Sequence, residues 1–529
     1  MIKATFLNRE RIYLFGLILL AVGIPLSHII MSIAQIILLS NWLIDKNLVS
    51  KIKLFYKNKP ALIFSFIYFL HLAGLFFTSD FDYAIKDLRT KIPILFLPLV
   101  FSSSKQLSYN DIKIILRMYI ASVIFGSLAC SFVYLTQKID DIRNISIFIS
   151  HIRFSLNICL SICILFYYLV IKKEFNKKQS IIVSILIGWL ILFIFILQSL
   201  TGIIILFLLA LTYALFLVFT SHKIKTKFVV SISIVSILLL IFSLLHQYYQ
   251  EYFSVKEINY SQLDSKTIQG NDYEFFIEQF GIENGNYIGL YICKKELADE
   301  WQKRSKIHID SSDHKKQQLI VTLIRFLNSK GLRKDAEGVK SLNDKEIAAI
   351  ESGYANYLYL NDFSIKAAVY RIFFEYNNYI ISGATKGYSI IQRYELWKAA
   401  LGIIKENFWF GVGTGDMVTA YKEQLIKMNS DLKELNIRAH NQYLSIFSAF
   451  GIIGFLVFLF SYIYPIFISK AFKSFLFVSF FIISSLSMIN EDTIETQTGV
   501  TFFAFFYLIF MLFNKNSDQT SAQLSANEK

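Results

Sequence analysis

Residues 180–220 read SIIVSILIGWLILFIFILQSLTGIIILFLLALTYALFLVFT, and none of them is Asp, Glu, Lys or Arg. A helix of a soluble domain keeps one polar face toward water, and this stretch offers none. It is also about twice as long as the roughly 20 residues that cross a bilayer, so it must turn back on itself. The polar break at Gln198-Ser199-Leu200-Thr201-Gly202 supplies the hairpin, which gives spans near 180–199 and 201–220.

Working outward, similar runs lie near 12–45, 61–78, 92–103, 113–136, 152–171, 227–246, 442–468, 473–489 and 499–513. Residues 12–45 are too long for one span, and Gly23, Pro25 and Ser27 mark where two would part. The run at 92–103 is short and holds Pro93 and Pro98. About twelve spans result. The chain of 529 residues is 55% hydrophobic and only 17% charged, with a mean hydropathy of +0.49, which excludes a string of soluble domains. Its 51 Phe and 30 Tyr fit helices in lipid, and five prolines fit long helices better than loops.

The formal charge of +14 invites a nucleic-acid reading until the charges are placed. Residues 247–440 hold about 25 basic and 25 acidic groups, so the excess flanks the apolar runs. A lipid bilayer accounts for it and no nucleic acid is called for. With the N-terminus inside, Lys46, Lys51, Lys53, Lys57, Lys59, Lys172, Lys173, Lys177, Lys178, Lys223, Lys225, Lys227, Lys470 and Lys473 share one side. Asp80, Asp82, Asp87, Asp140, Asp141, Glu491, Asp492 and Glu495 fall on the other. Both termini are then cytoplasmic and 247–440 lies outside. Lys3, Arg9 and Arg11 precede an apolar run with no small-residue cleavage site, which reads as a retained anchor. Cys130, Cys159 and Cys163 lie in apolar runs and Cys293 stands apart, so no disulfide framework is expected.

The expected fold is all-α: a polytopic membrane protein of about twelve transmembrane helices with a large, mainly helical outer loop domain. Its parts are 1–246 with nine spans, the outer domain 247–440, 441–513 with three spans, and a disordered cytoplasmic tail at 514–529. The outer stretch contains no proline. Leu319, Ile320, Leu323, Ile324 and Leu327 recur at helical spacing before a Lys330-Gly331 stop. Asn343-Asp344-Lys345-Glu346 reads as the capped start of a helix over 343–352, and more helix over 366–405 should break at Gly383 and Gly387.

Polar groups at the membrane boundary carry the chemical signal, because burying them is costly. Three pieces stand in order: Arg393-x3-Trp397, Gly411-Val412-Gly413-Thr414-Gly415-Asp416, and His440-Asn441-Gln442-Tyr443-Leu444 followed by Gly451-x2-Gly454. An imidazole at a water boundary can exchange a proton near neutral pH, and an arginine can grip a diphosphate bidentately. The plain alternative for His440 is an interfacial histidine beside a capping Asn441. Gly413 and Gly415 could expose N–H groups to a phosphate, although a tight structural turn is the better-weighted reading. Arg153 opens a span at its outer end, where it either snorkels or binds an anion. His308, Asp310, Asp313 and His314 resemble a metal cluster but more often form a solvated loop, so no metal is expected.

Together these motifs, behind many spans and a large outer loop, resemble the O-antigen ligase and polymerase family over about residues 390–460. The resemblance implies an integral-membrane glycosyltransferase of the bacterial inner membrane, needing neither metal nor cofactor. It would take a glycan from undecaprenyl diphosphate on the periplasmic face and pass it to a hydroxyl of lipid A core, as a ligase, or of a growing glycan, as a polymerase. It implies Arg393 as the loop arginine that contacts diphosphate and His440 as the essential histidine. One departure stands out. Where the family carries Ser-Arg-Thr/Gly, this chain reads Ser199-Leu200-Thr201-Gly202, so a second phosphate-binding cation has to come from elsewhere, with Arg153 or Arg325 as substitutes. A flippase or transporter is the third reading, against which no pair of interrupted helices is evident.

Overall fold

The computed structural model describes residues 9–45, 47–137, 142–255, 257–361, 364–435 and 438–511. The expected tail at 514–529 and the loop acids Asp140 and Asp141 lie outside the described residues. The chain divides into two compact units, Met1–Tyr213 with Glu395–Lys529, and Ala214–Tyr394.

Helix dominates both, as the apolar runs require. Among the described residues, seven helices are long and apolar enough to cross a membrane: Lys59–Phe77, Tyr109–Thr136, His151–Ile171, Lys177–Ile196, Leu200–Thr220, Ile224–Phe253 and Gln442–Ile468. Counting the bent pair His28–Leu43 with Leu48–Lys57 as one more raises the number to eight. The expectation of about twelve is therefore reduced, for identifiable reasons. Arg9–Leu26 and His28–Leu43 do part at Ser27, whose hydroxyl caps the second helix, but the first opens on Arg9, Glu10 and Arg11. The run at 92–103 is the end of a longer helix, Phe81–Ser103, whose first half carries Asp82, Lys86, Asp87, Arg89 and Lys91. Phe475–Asn490 and Gln497–Met511 are apolar but short.

Gln497–Met511 also shows where the phenylalanines go. From Val500 to Met511 every residue is buried, and Phe503, Phe506 and Tyr507 meet Phe64, Phe480, Tyr119 and Tyr462. A helix that is apolar all round is stable only when enclosed or in lipid. This one is enclosed, whereas Leu200–Thr220 and Ile224–Phe253 leave Leu215, Phe216, Phe228 and Phe242 exposed.

The second unit has its own core, in which Leu297, Trp301, Leu319, Leu323, Phe326, Leu327 and Ile350 are fully buried. Its helices start and stop where side-chain chemistry dictates. Leu319–Ser329 ends before Gly331, at φ 71°. Asn343 and Glu346 form a reciprocal capping box on Asp344–Glu351. Ile365–Ser382 ends in left-handed Gly383. One small departure from all-α is a hairpin pairing Ile282 with Tyr287 and Glu283 with Asn286. Its loop is Asn284-Gly285, at φ 52° and 73°, the turn that matches strand twist.

Candidate active site

The segment leading into helix Gln442–Ile468 is tightly held. Asn441 caps that helix through the Leu444 N–H, at 3.1 Å. His440, immediately before, lies at φ 49°, in the left-handed region that few residues other than glycine occupy. Its backbone N–H donates to Oδ2 of Asp492 at 3.1 Å, and the Ser445 hydroxyl donates to Oδ1 at 2.7 Å. The imidazole is half-buried and makes no hydrogen bond among the described residues.

Two residues earlier, Arg438 enters a buried cluster of charge. Its guanidinium pairs with Glu495 and the Tyr83 hydroxyl, and lies 3.8 Å from Asp87. Lys91, with no exposed surface, donates to Asp87 at 2.6 Å and to Glu495 at 2.8 Å. Gln442 completes the knot, donating to Glu495 at 2.9 Å while its carbonyl accepts the Ile494 N–H. Burial pushes the Glu495 carboxyl up, but Lys91 and Arg438 outweigh it and hold the group well below the usual carboxylate range. Asp492 goes the other way: burial raises it, and the charge of Glu495 adds to the effect. Burial opposes the charge on Arg438, yet Glu495 leads the groups that keep it firmly ionised. A small pocket lined by His71, Asp87, Lys91, Thr414, Arg438 and Glu495 adjoins the cluster.

The glycine motif explains how the helix bearing Lys91 is aimed. The Val412 and Gly413 N–H groups donate to the Ser448 and Ala449 carbonyls, and the Gly415 N–H to the Thr78 hydroxyl. The Thr414 hydroxyl donates to the His71 carbonyl at 2.6 Å. Asp416 then accepts from the Ser79 and Asp80 N–H groups, each at 2.8 Å, and from the Ser79 hydroxyl at 3.0 Å. This pins the loop that opens Phe81–Ser103, the helix carrying Tyr83, Asp87 and Lys91. A Cβ at Gly413 would sit 2.7 Å from the Thr78 hydroxyl oxygen, and one at Gly415 would sit 2.1 Å from the Asp80 carbonyl oxygen. The amides that a phosphate nest would use are thus engaged within the protein, and Gly413 and Gly415 serve close packing.

Arg153 stands on the first turn of His151–Phe166, where Glu491 and Asp492 are the acids whose charge reaches it. The hairpin at 198–202 packs beside this helix: Ser199 donates to Ser155 at 2.8 Å, and Asn490 donates to Thr201 at 2.8 Å. Leu200 itself is exposed. Arg153, Asp492 and His440 therefore belong to one neighbourhood within the first unit.

The other two candidate arginines, Arg325 and Arg393, fall in the second unit. Arg325 is committed there, with two hydrogen bonds of 2.9 and 3.0 Å to the buried Glu283 and its guanidinium 3.6 Å from the centre of the Phe374 ring. Arg393 lies half-buried on the second turn of helix Ser389–Glu406, within electrostatic reach of Glu375. Of the polar loop, Asp313 is buried and accepts from the Lys315 and Gln317 N–H groups and the Thr322 hydroxyl. No group of three metal-ligand side chains occurs among the described residues.

Sequence reading passed over Arg438, Lys91 and Glu495 as a site. Signals existed: Lys91 stands four residues after Asp87 just before an apolar run, and Arg438 stands two before His440. No curated protein sequence matches the chain. Residues 347–459, which include Arg393, the glycine turn, Arg438 and His440, match the family model of the O-antigen ligases. Over this segment the chain is similar to the O-antigen ligases.

Proposed function

We propose that this membrane protein transfers a glycan from undecaprenyl diphosphate to a hydroxyl acceptor on the periplasmic face of the bacterial inner membrane, with lipid A core as the first acceptor considered. One observation carries the reading: a single family match over 347–459 contains both Arg393 and His440. In this scheme the acceptor oxygen bonds to the anomeric carbon as the bond from that carbon to the phosphate oxygen breaks. His440 takes the hydroxyl proton, and the departing lipid diphosphate keeps the electron pair as an anion. Arg393 meets that anion as a bidentate donor, and Arg153 supplies the second positive charge absent at Leu200.

The half-buried imidazole supports this role: it makes no hydrogen bond among the described residues, while Asp492 and Asn441 fix the backbone on either side. Cationic groups then stand in for a divalent metal, and transfer by the purified protein should survive EDTA. Activity lost to EDTA and restored by magnesium or manganese would contradict that. Polymerisation of repeat units is the second reading, since it needs the same donor chemistry and differs only in the acceptor. The surface glycan of a deletion strain separates the two. Unligated lipid-linked polymer accumulates without a ligase, and single-repeat chains remain without a polymerase.

A further inference from the structure

Glu375 is nine-tenths buried on helix Ile365–Ser382, and its Oε2 accepts the N–H of Ile390 at 3.1 Å. Ile390 is the second residue of helix Ser389–Glu406, so a carboxylate from the preceding helix occupies that helix's N-terminus. The Ile391 N–H reaches the same carboxylate. These are amides that have no partner inside their own helix, and they favour an anion. Arg393 follows Ile390 by three residues on the same helix, and its charge reaches Glu375. Arg371, one turn before Glu375, adds a second cation within reach. In the connection just before the helix, Thr385 is 2% exposed and its hydroxyl has no hydrogen-bond partner among the described residues.

Backbone amides at a helix start with arginines beside them are the surroundings in which phosphate groups bind. Here a carboxylate holds that place. We propose that Glu375 is a positioning residue for Arg393, an internal anion that holds the guanidinium at the helix start and yields it when the donor's diphosphate arrives. The inference rests on the reading of Arg393 as a diphosphate ligand. Burial leads the effects on Glu375 and raises its carboxyl above the usual range, which eases its release from the cation.

Glu375→Gln separates this role from simple capping. The glutamine carbonyl still accepts the Ile390 N–H, so the cap persists, while the competing charge is removed. Binding of undecaprenyl diphosphate to the full-length purified protein should tighten about three- to tenfold, equivalent to roughly 0.7–1.4 kcal/mol. In an Arg393→Ala background the same substitution should change binding little. Unchanged or weaker binding in Glu375→Gln, with Arg393→Ala alone still weakening the lipid, would overturn this inference and leave the role of Arg393 standing. Unaltered binding in Arg393→Ala would overturn both. If Glu375→Gln does not fold, Glu375→Asp, which withdraws the carboxylate by one methylene, should tighten binding in the same direction, and a failure to do so would overturn the inference equally.

Discussion

Asp492 accepts a hydrogen bond from the backbone N–H of His440 at 3.1 Å, across 52 residues of sequence. The contact holds a histidine at φ 49°, and Ser445 holds the other oxygen of the same carboxylate. Asp492 acts here as a backbone clamp. Asp492→Asn retains an acceptor for the His440 N–H and should keep most of the transfer rate. Asp492→Ala removes the acceptor and should lower turnover about tenfold or more, since a buried N–H without a partner costs roughly 1–3 kcal/mol. Equal rates for the two variants in a purified transfer assay would contradict the clamp.

Arg153 and Arg325 should part company. Arg153→Ala should weaken donor binding with little effect on folding. Arg325→Ala leaves Glu283 buried without its cation and should cost about 3–5 kcal/mol of stability. Thermal unfolding and lipid binding on the same preparations distinguish them. Wild-type kinetics for Arg153→Ala would remove it from the site.

Lys334 gives a pH signature. Its ammonium is buried, donating to the Asn328 side chain at 2.8 Å and to the Leu290 and Tyr287 carbonyls at 3.0 and 3.3 Å, with burial lowering it to about 7. Between that value and the unfolded lysine value of about 10.4, the unfolded chain binds the extra proton. Its penalty on stability is therefore full below pH 7 and fades as pH rises toward 10. The unfolding midpoint of the wild type should rise relative to Lys334→Met across that window. A constant difference between the two would count against the assignment.

The proposed topology is open to direct labelling. The four native cysteines are buried, and Lys340 is exposed. Lys340→Cys should react with an impermeant maleimide in cells permeable only at the outer membrane. Reaction only after lysis of the inner membrane would place 247–440 on the wrong side.

Much of the fold could be read from periodicity, because a run such as 201–220 leaves a helix no polar face to show. The span count was harder to read. Hydropathy does not tell a helix in lipid from one enclosed by other helices, and Gln497–Met511 is the enclosed kind. The hairpin at 282–287 was signalled by Asn284-Gly285 but lay between polar segments without strand alternation. At the site, His440 and Asn441 stood out because they are adjacent and next to an apolar run. Lys91, Arg438 and Glu495 did not, since residues hundreds of positions apart meet only once the chain has folded. Asp492 and Glu495 registered as loop charges that orient the chain, and their contacts give them a second use.

Loss of the His440 imidazole tests the account most directly, provided the backbone is spared. Asparagine tolerates the left-handed conformation that alanine resists, so His440→Asn removes the proton-transfer group with the least strain at φ 49°. Turnover of a lipid-diphosphate-linked glycan by the purified variant is the quantity to measure, alongside donor binding. The account predicts donor bound near wild-type affinity and turnover reduced about 10² to 10⁴-fold. Normal turnover in a folded, membrane-inserted His440→Asn protein would contradict it and leave His440 as an ordinary residue at the membrane boundary.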